Sequence, residues 1–298
     1  MLGCNCDAGL ANTGRPGCVP LQSVTSKLIM VPLMANDGTL NAIDLAAALP
    51  TWSDLINESD ASKRWFPLPA FENVEMPKAD SQFEEANSGR MAFLRQGKRS
   101  FAGELWGDDS TPTMLGKLNA GRCVQFGVYI VDVNGALIGS KQGGYLYPIP
   151  VDEQSFDPKW MVATDSTVQK IMVGFDFDRL FDDSTMYMIT SSEAGINFNS
   201  LSGLIDINVV NDTVTTTTLT FDAVLDYGTA LNPIKAQGLV SGDFVLNNTT
   251  TSSVVTVTAV ENTPGNYTLS YVAQTNGEGA SLVIAKPGYL GTFTYIFA

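Results

Sequence analysis

From Leu204 to Ala298 the chain is a series of short stretches in which apolar residues alternate with Thr, Ser or Asp, broken at close intervals by turn formers. No other feature limits the fold as much. Leu219, Phe221, Ala223 and Leu225 alternate with Thr220 and Asp222. Val255 and Val257 alternate with Thr256 and Thr258. Tyr267, Leu269 and Tyr271 alternate with Thr268 and Ser270, and Phe293, Tyr295 and Phe297 continue the pattern almost to the end. Period two is the signature of a strand with one buried face. Asn247-Asn248, Pro264-Gly265-Asn266, Asn276-Gly277 and Pro287-Gly288 supply the turns. Such spacing predicts an immunoglobulin-like β-sandwich over residues 204–298. The Cys…Trp…Cys core of antibody domains is missing, so the likeness is architectural. Tyr267 reads either as a tyrosine-corner residue or as an ordinary core tyrosine.

Residues 204–298 hold no Cys, Trp or Arg and only Lys235 and Lys286 as cations. Catalysis is rarely built from such a set, whereas a packed sandwich that presents a surface is. The whole chain, 298 residues, is long enough for one large or two ordinary domains. The shift from mixed composition to Thr/Val alternation sets a boundary at Ser200–Gly203. No apolar run of about 18 residues is present, so no membrane-spanning helix is expected. Met1 to Asp7 lacks the basic start and apolar core of a secretory signal, and Leu2 stands where myristoylation needs Gly. The chain is expected to fold where it is made.

With 31 acidic and 17 basic residues the formal charge is −14. Such a surface repels nucleic acid. It serves solubility, or it forms a wall past which DNA slides without sticking. The chain has no His. This removes the commonest general base, the commonest metal ligand and every Ser-His or Cys-His nucleophile.

Before the boundary, residues 1–25 read as an irregular arm and residues 26–203 as a β-rich core with one or two short helices. Lys27–Met34 suits a strand. Asn41 is placed to cap a helix over Ala42–Leu49, stopped by Pro50, and Thr51 with Asp54 to open a second, to Asn57. Trp65-Phe66-Pro67-Leu68-Pro69 must be extended. Residues 70–90 read as a long polar loop, either an interaction element or disordered. Strands are expected from Phe101. Val124, Phe126, Val128 and Ile130 mark one of them, with a hairpin at Asn134-Gly135 returning through Ala136–Gly139. Tyr145–Pro150 reads as an edge or loop. Ile171, Val173, Phe175 and Phe177 form one face of the cleanest strand, and Thr185–Thr190 reads as another.

Few residues invite a chemical reading. Cys4, Cys6, Cys18 and Cys123 are the only cysteines; their spacing misses the usual zinc pattern and no His completes it, disulfide or subunit-contact roles rank ahead of zinc, and free thiols are the ordinary state in a reducing cytoplasm. Asp176 and Asp178, followed by Asp182-Asp183, are the one carboxylate set suited to glycoside hydrolysis or cation binding, against the commoner role of charges on the wet face of a strand. Asp132-Val133-Asn134-Gly135 falls short of a calcium loop. Asn57, Asn211, Asn247, Asn248 and Asn266 lie in N-x-S/T sequons that Thr-rich sequence produces by chance. Lys63-Arg64 and Arg95…Lys98-Arg99 are too small for a nucleic-acid patch. The reading assigns no catalytic, cofactor-binding or metal residues and no cofactor.

Three stretches stand out together: Cys4-Asn5-Cys6…Asn12-Thr13-Gly14-Arg15-Pro16, Ala61-Ser62-Lys63-Arg64-Trp65-Phe66-Pro67, and Arg122-Cys123-Val124-Gln125-Phe126-Gly127-Val128…Gly135-Ala136-Leu137-Ile138-Gly139…Tyr147-Pro148-Ile149. In these the chain resembles tail-tube-like virion structural proteins of tailed bacteriophages that infect Bacteroidetes. Gly265-Asn266-Tyr267-Thr268-Leu269 is similar to the added immunoglobulin-like domains of phage tail and capsid proteins. The resemblance implies a non-enzymatic β-barrel or sandwich core in stacked, typically hexameric rings bridged by loops or an arm. It also implies an electronegative lumen for DNA ejection, contact with other virion tail proteins, a place in the virion tail after synthesis in the host cytoplasm, and an outward module over 204–298 with weak cell-surface or glycan contact. Other readings are a head decoration or fibre protein, a surface adhesin, and a carboxylate-dependent glycan hydrolase.

Overall fold

A computed structural model describes residues 13–14 and 19–298. The chain is mainly β, 46% strand and 13% helical, its sheets forming a half-barrel and a nearly closed barrel, with three short α-helices among the described residues. Cys4, Cys6 and Cys18 lie outside the described residues.

The first part of the chain contributes fourteen short strands: β1 (Thr25–Pro32), β2 (Ile43–Asp44), β3 (Phe66–Pro67), β4 (Glu72–Glu75), β5 (Gln82–Glu85), β6 (Met91–Arg95), β7 (Ser100–Trp106), β8 (Phe126–Asp132), β9 (Leu137–Gln142), β10 (Tyr145–Tyr147), β11 (Ile149–Pro150), β12 (Lys159–Met161), β13 (Lys170–Asp176) and β14 (Met186–Ile189). A large sheet runs β2-β10-β9-β8-β1-β3, with β11 added to β8 and β14 to β9. A smaller one runs β12-β13-β7-β4, and β5-β6 stand apart as a pair.

The large sheet is the middle layer. Every residue of β8 is buried, so the half-wet face that its alternation suggested does not exist. Phe126, Val128 and Ile130 pack with Phe101, Leu105, Ile171, Val173 and Phe175 of the smaller sheet. Tyr129 and Val131 pack on the other side with Trp52, Trp65, Phe198 and Leu201. Trp65 sits between Trp52 and Tyr129, at ring-centroid distances of 5.7 and 4.9 Å. Gly139 is required beside this stack, because a Cβ there would come within 2.6 Å of the Tyr147 carbonyl oxygen.

The short helix expected after Thr51 is α1 (Trp52–Ile56), and the segment 65–69 is extended as its prolines require. The helix expected over Ala42–Leu49 does not form. Asn41 instead donates through Nδ2 to the carbonyls of Pro32 and Ser62, both at 2.7 Å. Ile43 and Asp44 pair with Leu146 and Tyr145, which buries Ile43 in the sheet. Sheet pairing and core burial outweigh the local helix signal. Residues 70–90 are not a loop either, since they contain β4 and β5. Two helices escaped the sequence reading: α2 (Pro112–Ala120), capped by the Thr111 side chain, and α3 (Ser191–Ala194), which opens on a Thr190/Glu193 capping box.

The remaining strands are β15 (Ile205–Val214), β16 (Thr218–Gly228), β17 (Pro233–Lys235), β18 (Phe244–Asn248), β19 (Ser253–Val255), β20 (Val257–Thr263), β21 (Asn266–Tyr271), β22 (Gly279–Lys286) and β23 (Tyr289–Ile296). They follow the order β19-β18-β22-β23-β15-β16-β21-β20, with β17 on β16. Strand β15 starts parallel to β23, through Ile205 and Asp206, then turns to pair antiparallel with β16 from Ile207 onward. The result is two antiparallel layers, β15-β16-β21-β20 and β19-β18-β22-β23, in the order of an immunoglobulin-like sandwich. Both layers line one core, which includes Phe221, Phe244, Leu246, Tyr267, Leu282 and Phe297.

Tyr267 lies on β21, fully buried. Its hydroxyl donates to the Ala236 carbonyl, at 3.1 Å, and accepts from the Leu239 amide, at 3.2 Å. It therefore ties down the 236–239 segment, far back along the chain, and makes no tyrosine corner. Asn247-Asn248 close β18, and Asn248 Oδ1 caps the following turn at the amides of Thr250 and Thr251. Helix α2 meets this part of the chain through Lys117, 2.6 Å from Asp206, and through Thr113, whose hydroxyl donates to the Asp226 carbonyl at 2.9 Å.

A fragment of residues 204–298 is expected to unfold cooperatively on heating, followed by circular dichroism. Tyr267→Phe should lower its stability by about 1–3 kcal/mol, because the buried Leu239 amide loses its acceptor. Non-cooperative melting, or an unchanged Tyr267→Phe midpoint, would contradict this.

Candidate functional site: a rooted β-ribbon

Sequence reading singled out an acidic set near 176–183 and a basic set at 95–99, and kept them apart. The structure brings them together. Arg99 donates through Nε to Asp183 Oδ1, at 2.9 Å, and through Nη2 to Asp183 Oδ2, at 3.0 Å. Its Nη1 reaches the Met76 carbonyl at 2.8 Å. Lys78 adds a second cation to Asp183, at 2.8 Å. Lys98 lies 3.1 Å from Asp152 and 3.4 Å from Asp176, whose Oδ1 also accepts from the Ser100 hydroxyl. Asp178 and Asp182 accept from the amides of Leu180 and Ser184 and shape their own turns.

The electrostatics fit a structural role. The Arg99 guanidinium, with help from Lys78, pulls the Asp183 carboxyl down to about 2. The Ser184 amide lowers Asp182. A general acid needs the opposite shift. Among the described residues no group of three Asp, Glu, Cys or His side chains is arranged to hold a metal ion, and no helix is long and apolar enough to cross a membrane. A shallow depression on the outer face of the smaller sheet is lined by Asn73, Glu104, Ser155, Asp157, Lys159 and Met172, and the Ser155 hydroxyl donates to the Asp152 carbonyl, at 2.6 Å, and accepts from the Asp176 amide, at 2.7 Å. Glu104 there accepts from Lys170, Asn73 and Trp106. Cys123 is exposed. Of the sequon residues, Asn248 is buried, and Asn211 and Asn266 both donate to Asp222.

What these ion pairs secure is a β-ribbon. The β4/β7 pairing continues through a Lys78–Arg99 β-bridge and a hydrogen bond from the Ala79 amide to the Lys98 carbonyl, at 2.8 Å, into β5 and β6. Gly97 lets the two chains cross closely at the base, where a Cβ would collide with the Ala79 carbonyl. The tip turns at Gly89, which has φ 78°. Every residue of β5 and β6 is exposed. That includes Phe83 at 53%, Met91 at 62%, Phe93 at 49% and Leu94 at 57%. The Phe83 and Phe93 rings meet edge to face at 5.6 Å with no further layer over them. Phe83, Phe93 and Met91 share one face, since Phe83 is opposite Phe93 and Glu85 is opposite Met91. Sequence reading passed over this patch because residues 70–90 carry few strong apolar positions, and Met91, Phe93 and Leu94 lie beyond them.

The chain matches no protein-family model, and no curated protein is similar to it.

Asp183→Asn tests the root. Because the native carboxyl titrates near 2, below its unfolded value, its stabilisation is full above the usual carboxylate range and fades as pH falls toward about 2. The variant should melt below the wild type at neutral pH, with the gap closing near pH 2. An equal gap at both pH values would show that the ion pair is not the cause.

Proposed function

We propose that this chain is a structural subunit of a virion, a tail-tube-like protein that assembles with copies of itself into stacked rings and acts without catalysis. The observation that carries the reading is the rooted ribbon over residues 82–95. A two-stranded hairpin is marginal in water on its own. Here it stands clear of the body with two Phe, a Met and a Leu exposed, and an apolar patch held out on a rigid base is an interaction element. A neighbouring copy is the simplest partner for a repeated subunit.

Other features support the same reading. The smaller sheet ends in two short strands, β12 and β4, whose outer edges are open among the described residues. The segment before β1 leaves Val19, Leu21 and Val24 exposed, as a bridging arm would. The charge of −14 suits a conduit wall that DNA passes without binding. The sandwich over 204–298 has its own core and would decorate the outside, where weak contact with cell-surface glycans is in keeping with its exposed Thr-rich strands. Of the carboxylates suited to a glycan hydrolase, Asp176 and Asp183 are engaged at the foot of the ribbon, and Asp178 and Asp182 accept from the amides of their own turns.

Electron microscopy and sedimentation of the purified chain should show rings or tubes, favoured by moderate salt that screens the repulsion between subunits. Deleting residues 80–97 or 1–25 should leave monomers, while deleting 204–298 should be tolerated. Rings from a chain without its ribbon, tight binding of duplex DNA at low salt, or polysaccharide degradation lost on Asp176→Asn or Asp178→Asn would overturn the proposal.

A further inference from the structure

We infer that the ribbons of successive copies pair edge to edge, the β5 edge of one against the β6 edge of the next, and that charge fixes this choice. The inference rests on the self-assembly reading above and names the surface through which a second copy binds.

The ribbon has two outer edges, and neither is paired among the described residues. The β5 edge carries Glu84 and Glu85. The β6 edge carries Arg95, with Arg90 just before the strand. Inside one ribbon Glu84 and Glu85 lie opposite Ala92 and Met91, so the register itself gives the acids no facing cation. Arg95 donates only sideways, to Gln82 at 2.8 Å.

Side chains directly opposite on paired strands stabilise when their charges are unlike and destabilise when they are alike. Two β5 edges would face carboxylates with carboxylates. Two β6 edges would face guanidiniums with guanidiniums. Only β5 against β6 joins opposite signs. This contact is heterologous, using two different surfaces of each subunit, and it generates a ring where the rotation between neighbours closes. It also preserves the antiparallel alternation, since β5 and β6 already run in opposite directions. The Phe83, Met91 and Phe93 faces of neighbouring ribbons then become one continuous apolar belt. Repulsion from the net charge acts at long range and is screened by salt, whereas paired charges across a seam are in contact and are screened less.

The test uses the full chain at fixed, moderate salt, with sedimentation velocity as readout and thermal melting as a check that the body is intact. E84K/E85K makes both edges basic, and R90E/R95E makes both acidic. Each alone should sediment as a monomer with a wild-type melting temperature. Mixed in equal amounts they should co-assemble, because each basic edge then meets an acidic one. The fourfold variant carrying both exchanges keeps the net charge and should assemble by itself. Assembly of either double variant on its own, at wild-type size, would overturn the inference while leaving the assembly reading in place. So would failure of both the mixture and the fourfold variant to assemble, with melting unchanged. A wild-type chain that stays monomeric at every concentration and salt level would overturn both.

Discussion

Strand β8 is the constraint on which the first part of the molecule depends. It is buried on both faces, so its backbone amides and carbonyls can be satisfied only by other strands. They are met by β1 along nearly its whole length on one side, and by β9 and β11 on the other. Its side chains in turn require two covers. The smaller sheet supplies one, and the Trp52–Trp65–Phe198 cluster supplies the other. The three-layer arrangement follows from this one strand, and so does the outward placement of the ribbon. Strands β4 and β7 belong to the outer cover, so the pairing that continues beyond them runs past the core and out from the body.

Clusters of like charge in a sequence suggest active sites or binding patches, and here they belong to a joint. Each cation at the base of the ribbon lies against a carboxylate from another segment: Arg99 and Lys78 on Asp183, Lys98 on Asp152 and Asp176. These pairs are only partly exposed, and Arg99 binds Asp183 in the two-pronged geometry that adds direction to attraction. Direction matters at this place. A ribbon held by one backbone bond would swing. One held by a guanidinium fork, a second cation and the Gly97 crossing keeps a fixed orientation to the body.

The sandwich was the most legible part of the sequence. Its alternation marked the strands, and Pro264-Gly265 and Pro287-Gly288 marked turns in which the glycines take φ 73° and 87°. Period-two patterns report burial on one face, and both sandwich layers have one buried face. The alternation of Phe126, Val128 and Ile130 placed β8 as a strand but could not show that its other face is buried as well. Local logic failed at Asn41, whose side chain looked like a helix cap but bonds to carbonyls from two distant segments. Helix α2 was legible in Thr111-Pro112, a cap followed by a proline at the first helical position, and the short α3 in its Thr190/Glu193 box. The joint at the base of the ribbon was invisible. Its partners stand about 50 to 105 residues apart, and nothing local ties Lys78 to Asp183.

The energetics of the ribbon bear on how a chain like this would assemble. Full burial of a large apolar side chain yields roughly 1.5–3 kcal/mol. The four on the ribbon are already about half covered, so completing their burial would yield about half of that each, at most on the order of 3–6 kcal/mol in all. Bringing two molecules together costs about 4–15 kcal/mol in lost freedom. One ribbon-to-ribbon contact is therefore near break-even, and a free dimer gains little. In a closed ring each subunit uses both edges, and the last contact forms within an assembly that has already lost its translational freedom. In the proposed assembly, a weak, directional edge made twice per subunit would thus favour complete rings over partial ones, and would keep free chains apart until enough of them are present to close the circle.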